Sequence, residues 1–209
     1  MFKEILTREQ TELLDLLKTF NKDFYMAGGT ALALQIGHRR SVDFDLFTEA
    51  AIDTTGILRK IKKLGYTVEA TIEDTPEELS IIVNNTKLTF LEYPFKIEHD
   101  VELDGIITMP HTLTIAAMKA YTLGRRGKWK DYIDFYFIFK YHFSLKDVVK
   151  RAKDIYGGEF NERLFREQLC YFEDIDFTED VIFTGEHPSV EEVKEFLINK
   201  AVELPLEEG

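Results

Sequence analysis

The chain has 209 residues, of which 44% are hydrophobic and 13% aromatic, with only 12 Gly and 5 Pro; this supports a real core and excludes long disordered linkers. A single cysteine, Cys170, excludes an internal disulfide and a cysteine-rich zinc site, and is expected as a small hydrophobe on a helix. The net charge of −12 argues against a nucleic-acid partner only until its distribution is considered: residues 171–209 hold 12 acids and 2 basic residues, leaving the rest near neutral with 26 acids and 24 bases.

No stretch reaches the roughly 18 apolar residues of a membrane span. The opening "MFKEILTREQ" lacks the apolar centre of a signal peptide. The expectation is a soluble, cytoplasmic protein with no membrane partner, its acidic tail a solvated surface.

In chain order, "LTREQTELLDLLKTFNKD" opens on a capping-box pattern, Thr7 and Gln10, followed by apolar residues at helical spacing. "FYMA" reads as a short buried strand broken by Gly28 and Gly29. "TALALQIG" reads as a short helix with Thr30 or a neighbour as cap and Gly37 as stop. "SVDFDLF" alternates as a strand, and "TTGILRKIKKLG" is helical up to Gly65. "YTVEATIED", "LSIIVNN" and "KLTFLEYPF" alternate again, with "NNT" as a hairpin turn. Beyond residue 106 the spacing turns helical in "HTLTIAAMKAYTLGRRG", "WKDYIDFYFIFKYH", "SLKDVVKRAKDIYGG", "NERLFREQLCYF" and "SVEEVKEFLINKAVEL". The predicted layout is α+β: a mixed-sheet core over residues 1–106, then a helical bundle over 107–209.

Residues two apart on a strand share a face, so Asp43 and Asp45 project together while Val42, Phe44 and Leu46 point into a core. Two adjacent carboxylates repel unless a cation lies between them, and Mg²⁺ suits one or two carboxylates plus substrate phosphates. The glycine pair before a helix lets backbone N–H groups approach a phosphate. The order is therefore phosphate loop, short helix, metal strand.

"GGTALALQIGHRRSVDFDLF" resembles the first motif of the AbiEii/AbiGii nucleotidyltransferase toxin family, within the DNA polymerase β-like superfamily. "IAAMKAYTLGRRGKWKDYIDFYFI" is similar to that family's lysine helix and the following basic-residue, Asp, x-x, Asp helix. The resemblance implies a polymerase β-like nucleotidyltransferase core that positions a nucleoside triphosphate. Carried over residue by residue, Gly28, Gly29 and Thr30 match the phosphate loop and Asp43 and Asp45 the Mg²⁺ positions. Lys119 matches the lysine near the triphosphate, and Lys130, Asp131 and Asp134 match the downstream motif. The resemblance further implies an RNA or tRNA acceptor and a separately encoded antitoxin.

Each of these residues has a structural alternative. Lys119 is either a phosphate ligand, in which case Lys119→Ala should leave the fold intact, or an ordinary exposed helix lysine. Asp131 and Asp134 share a helical face and either take part in catalysis or pair with Lys128, Lys130 or Arg126. Arg39 and Arg40 bind phosphate, orient the aspartates or sit solvated, and one of the two is expected to face the site. Trp129 stacks on a base or packs between helices, and "GRRGKWK" is the candidate for docking RNA. The five histidines show no metal-ligand spacing. Many polymerase β-like enzymes carry a third carboxylate on a later strand. Here Thr89 takes that place, with Glu92, Glu98 or Asp100 as possible substitutes. A degenerate nucleotide- or partner-binding protein and a small-molecule nucleotidyltransferase are the alternative readings.

Overall fold

In the computed structural model, which describes residues 1–123, 127–173 and 175–203, the chain divides into two units, Met1–His111 and Thr112–Gly209. The first opens on α1 (Arg8–Glu12) and α2 (Leu14–Lys18), where one continuous helix was expected; the helix is interrupted at Leu13. The Thr7–Gln10 capping box is present in both directions. Leu13, Leu16, Leu17 and Phe20 are buried, so the predicted apolar stripe survives the break.

Five strands form one mixed sheet in the order β1-β2-β5-β4-β3: β1 (Tyr25–Ala27), β2 (Phe44–Thr48), β3 (Val68–Asp74), β4 (Glu78–Val83) and β5 (Thr86–Glu92). Only β2 and β5 pair in parallel, which requires a long crossover. That crossover contains α4 (Thr54–Lys63) and the β3–β4 pair. Asn84 and Asn85 turn β4 into β5 with φ of +49° and +54°, the left-handed pair that a two-residue hairpin needs. Phe44, Leu46, Leu79, Ile81, Leu88 and Phe90 are fully buried, and Phe20 and Phe24 meet Phe90 edge-on at 5.0 and 5.3 Å. Val42 departs from the expected alternation: it precedes the strand and is 54% exposed.

Between β1 and β2 runs α3 (Gly28–Ile36), closed by Gly37 at φ +66°, as expected of a glycine stop. After β5 comes a hairpin absent from the strand expectations, β6 (Val101–Leu103) and β7 (Ile107–Met109), turned by Asp104 and Gly105 at φ +51° and +67°. Its Asp-Gly turn dipeptide was legible, but the strands are three residues each, too short to show alternation.

The second unit is built from α5 (Thr112–Leu123), α6 (Trp129–Tyr141), α7 (Leu145–Tyr156), α8 (Glu162–Leu169) and α9 (Val190–Val202). Ser144, Asn161 and Ser189 cap the last three by accepting from backbone N–H groups. Tyr132, Phe135, Tyr136, Phe165, Leu169, Val193 and Leu197 form its core. Helix α6 is buried around nearly its whole circumference, and this carries two aspartates inside with the aromatics. Cys170, expected as a small hydrophobe on a helix, caps the C-terminal end of α8 and is exposed. Among the described residues, no helix is long and apolar enough to cross a membrane.

Candidate nucleotidyltransfer residues

In the first unit, the glycine pair is required by what leans against it. Gly28 has φ +75°, and a Cβ there would lie 2.2 Å from Asp45 Oδ2. A Cβ on Gly29 would meet Arg39 Nη2 at 2.9 Å and Ser41 Oγ at 3.0 Å. The N-cap of α3 is Ala27, which offers no side chain to the first helical amides. Backbone N–H groups, a guanidinium and a carboxylate thus gather around two residues without side chains.

Thr30 does not cap α3. Its hydroxyl donates to the backbone carbonyl of Asp43, tying the helix to the entrance of β2. Asp43 lies one residue before that strand, and Asp45 is its second residue. Both are half-buried, with Phe44 and Leu46 buried between and beyond them. Arg39 is 3% exposed, and its Nη1 donates to the carbonyl of Arg40 at 2.9 Å. Arg40 is exposed. Ser41 also lies against Gly29, a proximity across elements that no local pattern in the sequence marks.

Thr89 pairs in register with Asp45, and Ser80 with Thr89. Ser80 Oγ donates to Glu78 at 2.7 Å and lies 3.2 Å from Thr89 Oγ1. The strand beside Asp45 therefore presents a hydroxyl where a third carboxylate was looked for. Asp100 is engaged by His111 at 3.1 Å, and Glu98 is exposed. Among the described residues, no three or more His, Cys, Asp or Glu gather as a metal cluster. Two carboxylates, one just before β2 and one on it, are the kind of donors that suit a hard cation whose shell is completed by substrate phosphates.

A separate cavity of about 580 Å³ in this unit is lined by Phe24, Tyr25, Ile57 and Lys60 among others. None of Gly28, Gly29, Asp43 and Asp45 lines it.

In the second unit, Lys119 on α5 reaches Asp131 and Asp134 on α6, each at 2.7 Å. The three side chains are 5%, 2% and 0% exposed, so Lys119 is not a solvated helix lysine. Lys128 and Lys130, candidate partners for the aspartates, instead share the carboxylate of Glu179. Burial pushes that carboxyl up, but hydrogen bonds from Lys128 and Lys130 outweigh it and hold the pKa at about 2. Arg125 and Arg126 lie outside the described residues. Trp129 is buried, with its ring 5.0 Å from Phe177 and 6.2 Å from Tyr132. Glu179 was not singled out from the sequence: 49 residues separate it from Lys130, and nothing local marks it.

A glycine turn feeding a helix, with Asp-x-Asp at the entrance of the next strand of a mixed sheet and helices beyond, defines a polymerase β-like nucleotidyltransferase fold. The family model described as "Nucleotidyl transferase AbiEii toxin, Type IV TA system" matches residues 13–184, and the chain belongs to that family. An uncharacterized protein of Aquifex aeolicus (strain VF5) is 33% identical over 205 residues, spanning 95% of this chain and 97% of that one. The fold is similar to MenT4, a nucleotidyltransferase toxin of Mycobacterium tuberculosis H37Rv, with TM-score 0.61, 15% identity and coverage of 92% and 80%. It is also similar to JHP933 from Helicobacter pylori, with TM-score 0.58, 19% identity and coverage of 94% and 91%.

Proposed function

We propose that this protein transfers a nucleoside monophosphate from an NTP to an RNA acceptor such as tRNA. In this reading it acts in the cytoplasm as the toxin of a pair whose antitoxin is separately encoded. The observation that carries the reading is the seating of Asp45 and Arg39 against Gly28 and Gly29. That arrangement supports the reading because carboxylate, cation and backbone donors meet at one turn, as binding of a polyphosphate would require.

In the reaction, an acceptor hydroxyl oxygen attacks the α-phosphorus of the NTP. A new P–O bond forms as the bond to pyrophosphate breaks; pyrophosphate leaves, and the acceptor proton passes to solvent. Gly28, Gly29 and Thr30 form the phosphate loop, and Arg39 supplies positive charge to the phosphates. Arg40, exposed beside it, is available to the same polyanion. Asp43 and Asp45 would hold Mg²⁺, which would supply neutralisation of phosphate charge and activation of the attacking oxygen. Holding acceptor and NTP in line supplies much of the remaining rate. The family pattern assigns Lys119, Asp131, Asp134 and Lys130 to the same reaction; to act on the triphosphate, Lys119 would have to exchange its contacts with Asp131 and Asp134 for phosphate.

A non-catalytic nucleotide-binding protein is the second reading, favoured by Thr89 in place of an acid opposite Asp45. Incubation with each labelled NTP, Mg²⁺ and total RNA separates the two. Label in RNA, lost in Asp43→Asn, is the expected result. Retained NTP binding with no transfer from any NTP overturns catalysis, and label entering only small acceptors overturns the RNA assignment.

A further inference from the structure

Residues 175–180 of the second unit fold back onto the start of α6. The Asp176 amide donates to the carbonyl of Gly127 at 2.7 Å, and the Trp129 amide donates to the carbonyl of Asp176 at 3.1 Å. These two bonds make a short parallel bridge between Lys128 and Asp176. Phe177 packs on the Trp129 indole, and Lys194 of α9 stands over the Phe177 ring at 6.0 Å. Glu179 completes the contact by giving one carboxylate oxygen to Lys128 and the other to Lys130.

A carboxylate bridging two ammonium groups presents the same charged oxygens as a backbone phosphate. Trp129, between the lysines in sequence, is covered by Phe177, and such a ring, once uncovered, is the kind of platform on which a single-stranded base stacks. Everything in Lys128–Lys130 that suits a nucleic acid is thus met by an acidic, aromatic segment of the chain itself. That segment holds Asp176, Glu179 and Asp180 and no basic residue.

We propose that Ile175–Asp180 is an internal polyanion mimic covering a single-stranded RNA docking surface at Lys128–Lys130, and that RNA binds there by displacing Glu179. The proposal rests on the RNA-acceptor reading. Displacement is accessible because the contact is near the surface: the Glu179 side chain is 42% exposed, and Lys128 and Lys130 are 36% and 21% exposed. Such ion pairs are screened by solvent and individually weak. A polyanion gains in addition from counterion release, roughly 0.7 in log–log salt slope per phosphate on a single strand. Glu179 stays ionised at neutral pH, so protonation does not release it.

The test is binding of a fluorescent oligouridylate, followed by anisotropy at two salt concentrations. Glu179→Gln should bind severalfold tighter than wild type, with a salt slope steeper by about 1, one to two phosphate contacts' worth. Replacing Lys128 and Lys130 by Ser in the Glu179→Gln background should abolish the gain. Phe177→Ala, which loosens the segment through its ring contact, should also tighten binding and covers the case of a poorly folded Glu179→Gln. If wild type binds RNA and neither variant improves on it, the mimic is overturned and the RNA reading stands. If none of the proteins binds RNA, both are overturned.

Discussion

Thr89 stands opposite Asp45 in the parallel pairing of β2 and β5, with Ser80 on its far side. Ser80 has one proton and gives it to Glu78, so Thr89 donates to Ser80 and keeps its lone pairs. If Asp43 and Asp45 suffice for the metal, Thr89→Val should leave Mg²⁺-dependent NTP affinity within about twofold of wild type. Stability should fall by about 1 kcal/mol for the lost buried hydrogen bond. Calorimetric titration and urea unfolding measure the two effects separately. A large loss of affinity would make Thr89 a third ligand.

Gly28 and Gly65 both have positive φ, +75° and +86°, but only Gly28 lies against another residue. Alanine at Gly65 should cost the backbone term alone, about 1 kcal/mol. Alanine at Gly28 adds a collision with the Asp45 carboxylate, so it should cost more and should also weaken NTP binding. Comparing melting temperature and NTP affinity for the pair isolates the effect of displacing Asp45. Equal stability losses and unchanged affinity in both variants would dissociate Asp45 from the glycine turn.

The buried Lys119 changes what its replacement reports. Lys119→Ala was expected to spare the fold, but it leaves Asp131 and Asp134 buried without the ammonium that both contact. Breaking one side of a buried ionic cluster costs about 3–5 kcal/mol. The unfolding midpoint in urea should drop accordingly, and any loss of NTP affinity must be read on protein shown to be folded. A variant as stable as wild type would mean the carboxylates find other cations or become protonated.

Glu179 ties acid stability to the segment over α6. Its carboxyl is held at about 2 against an ordinary 4.5, so between these values the unfolded chain binds more protons than the native one. The contribution is present above about pH 4.5 and is lost as pH falls toward 2. Wild type should therefore lose stability more steeply than Glu179→Gln across that window in acid titrations followed by circular dichroism. Parallel curves would show that the Lys128–Glu179–Lys130 contact contributes nothing.

Local pattern by itself determined the succession of elements in this protein except the break at Leu13 and the β6–β7 hairpin. Apolar spacing, the Thr7–Gln10 box, the Gly37 stop and the Asn84–Asn85 turn act over a few residues, and each is found in the structure. The aspartate triplet and glycine pair were legible in the same way, because alternation on β2 and a strand-to-helix turn are local geometry. Only the tertiary structure decided which chemical groups meet. Asp45 reaches Gly28, Arg39 reaches Gly29, and Thr30 serves the carbonyl of Asp43 in place of capping its own helix. Lys119 is drawn inside because α6 is wrapped in aromatic neighbours, and Glu179 reaches Lys128 and Lys130 across some fifty residues of chain. Burial and long-range pairing depend on how elements pack, which no periodicity within one element encodes.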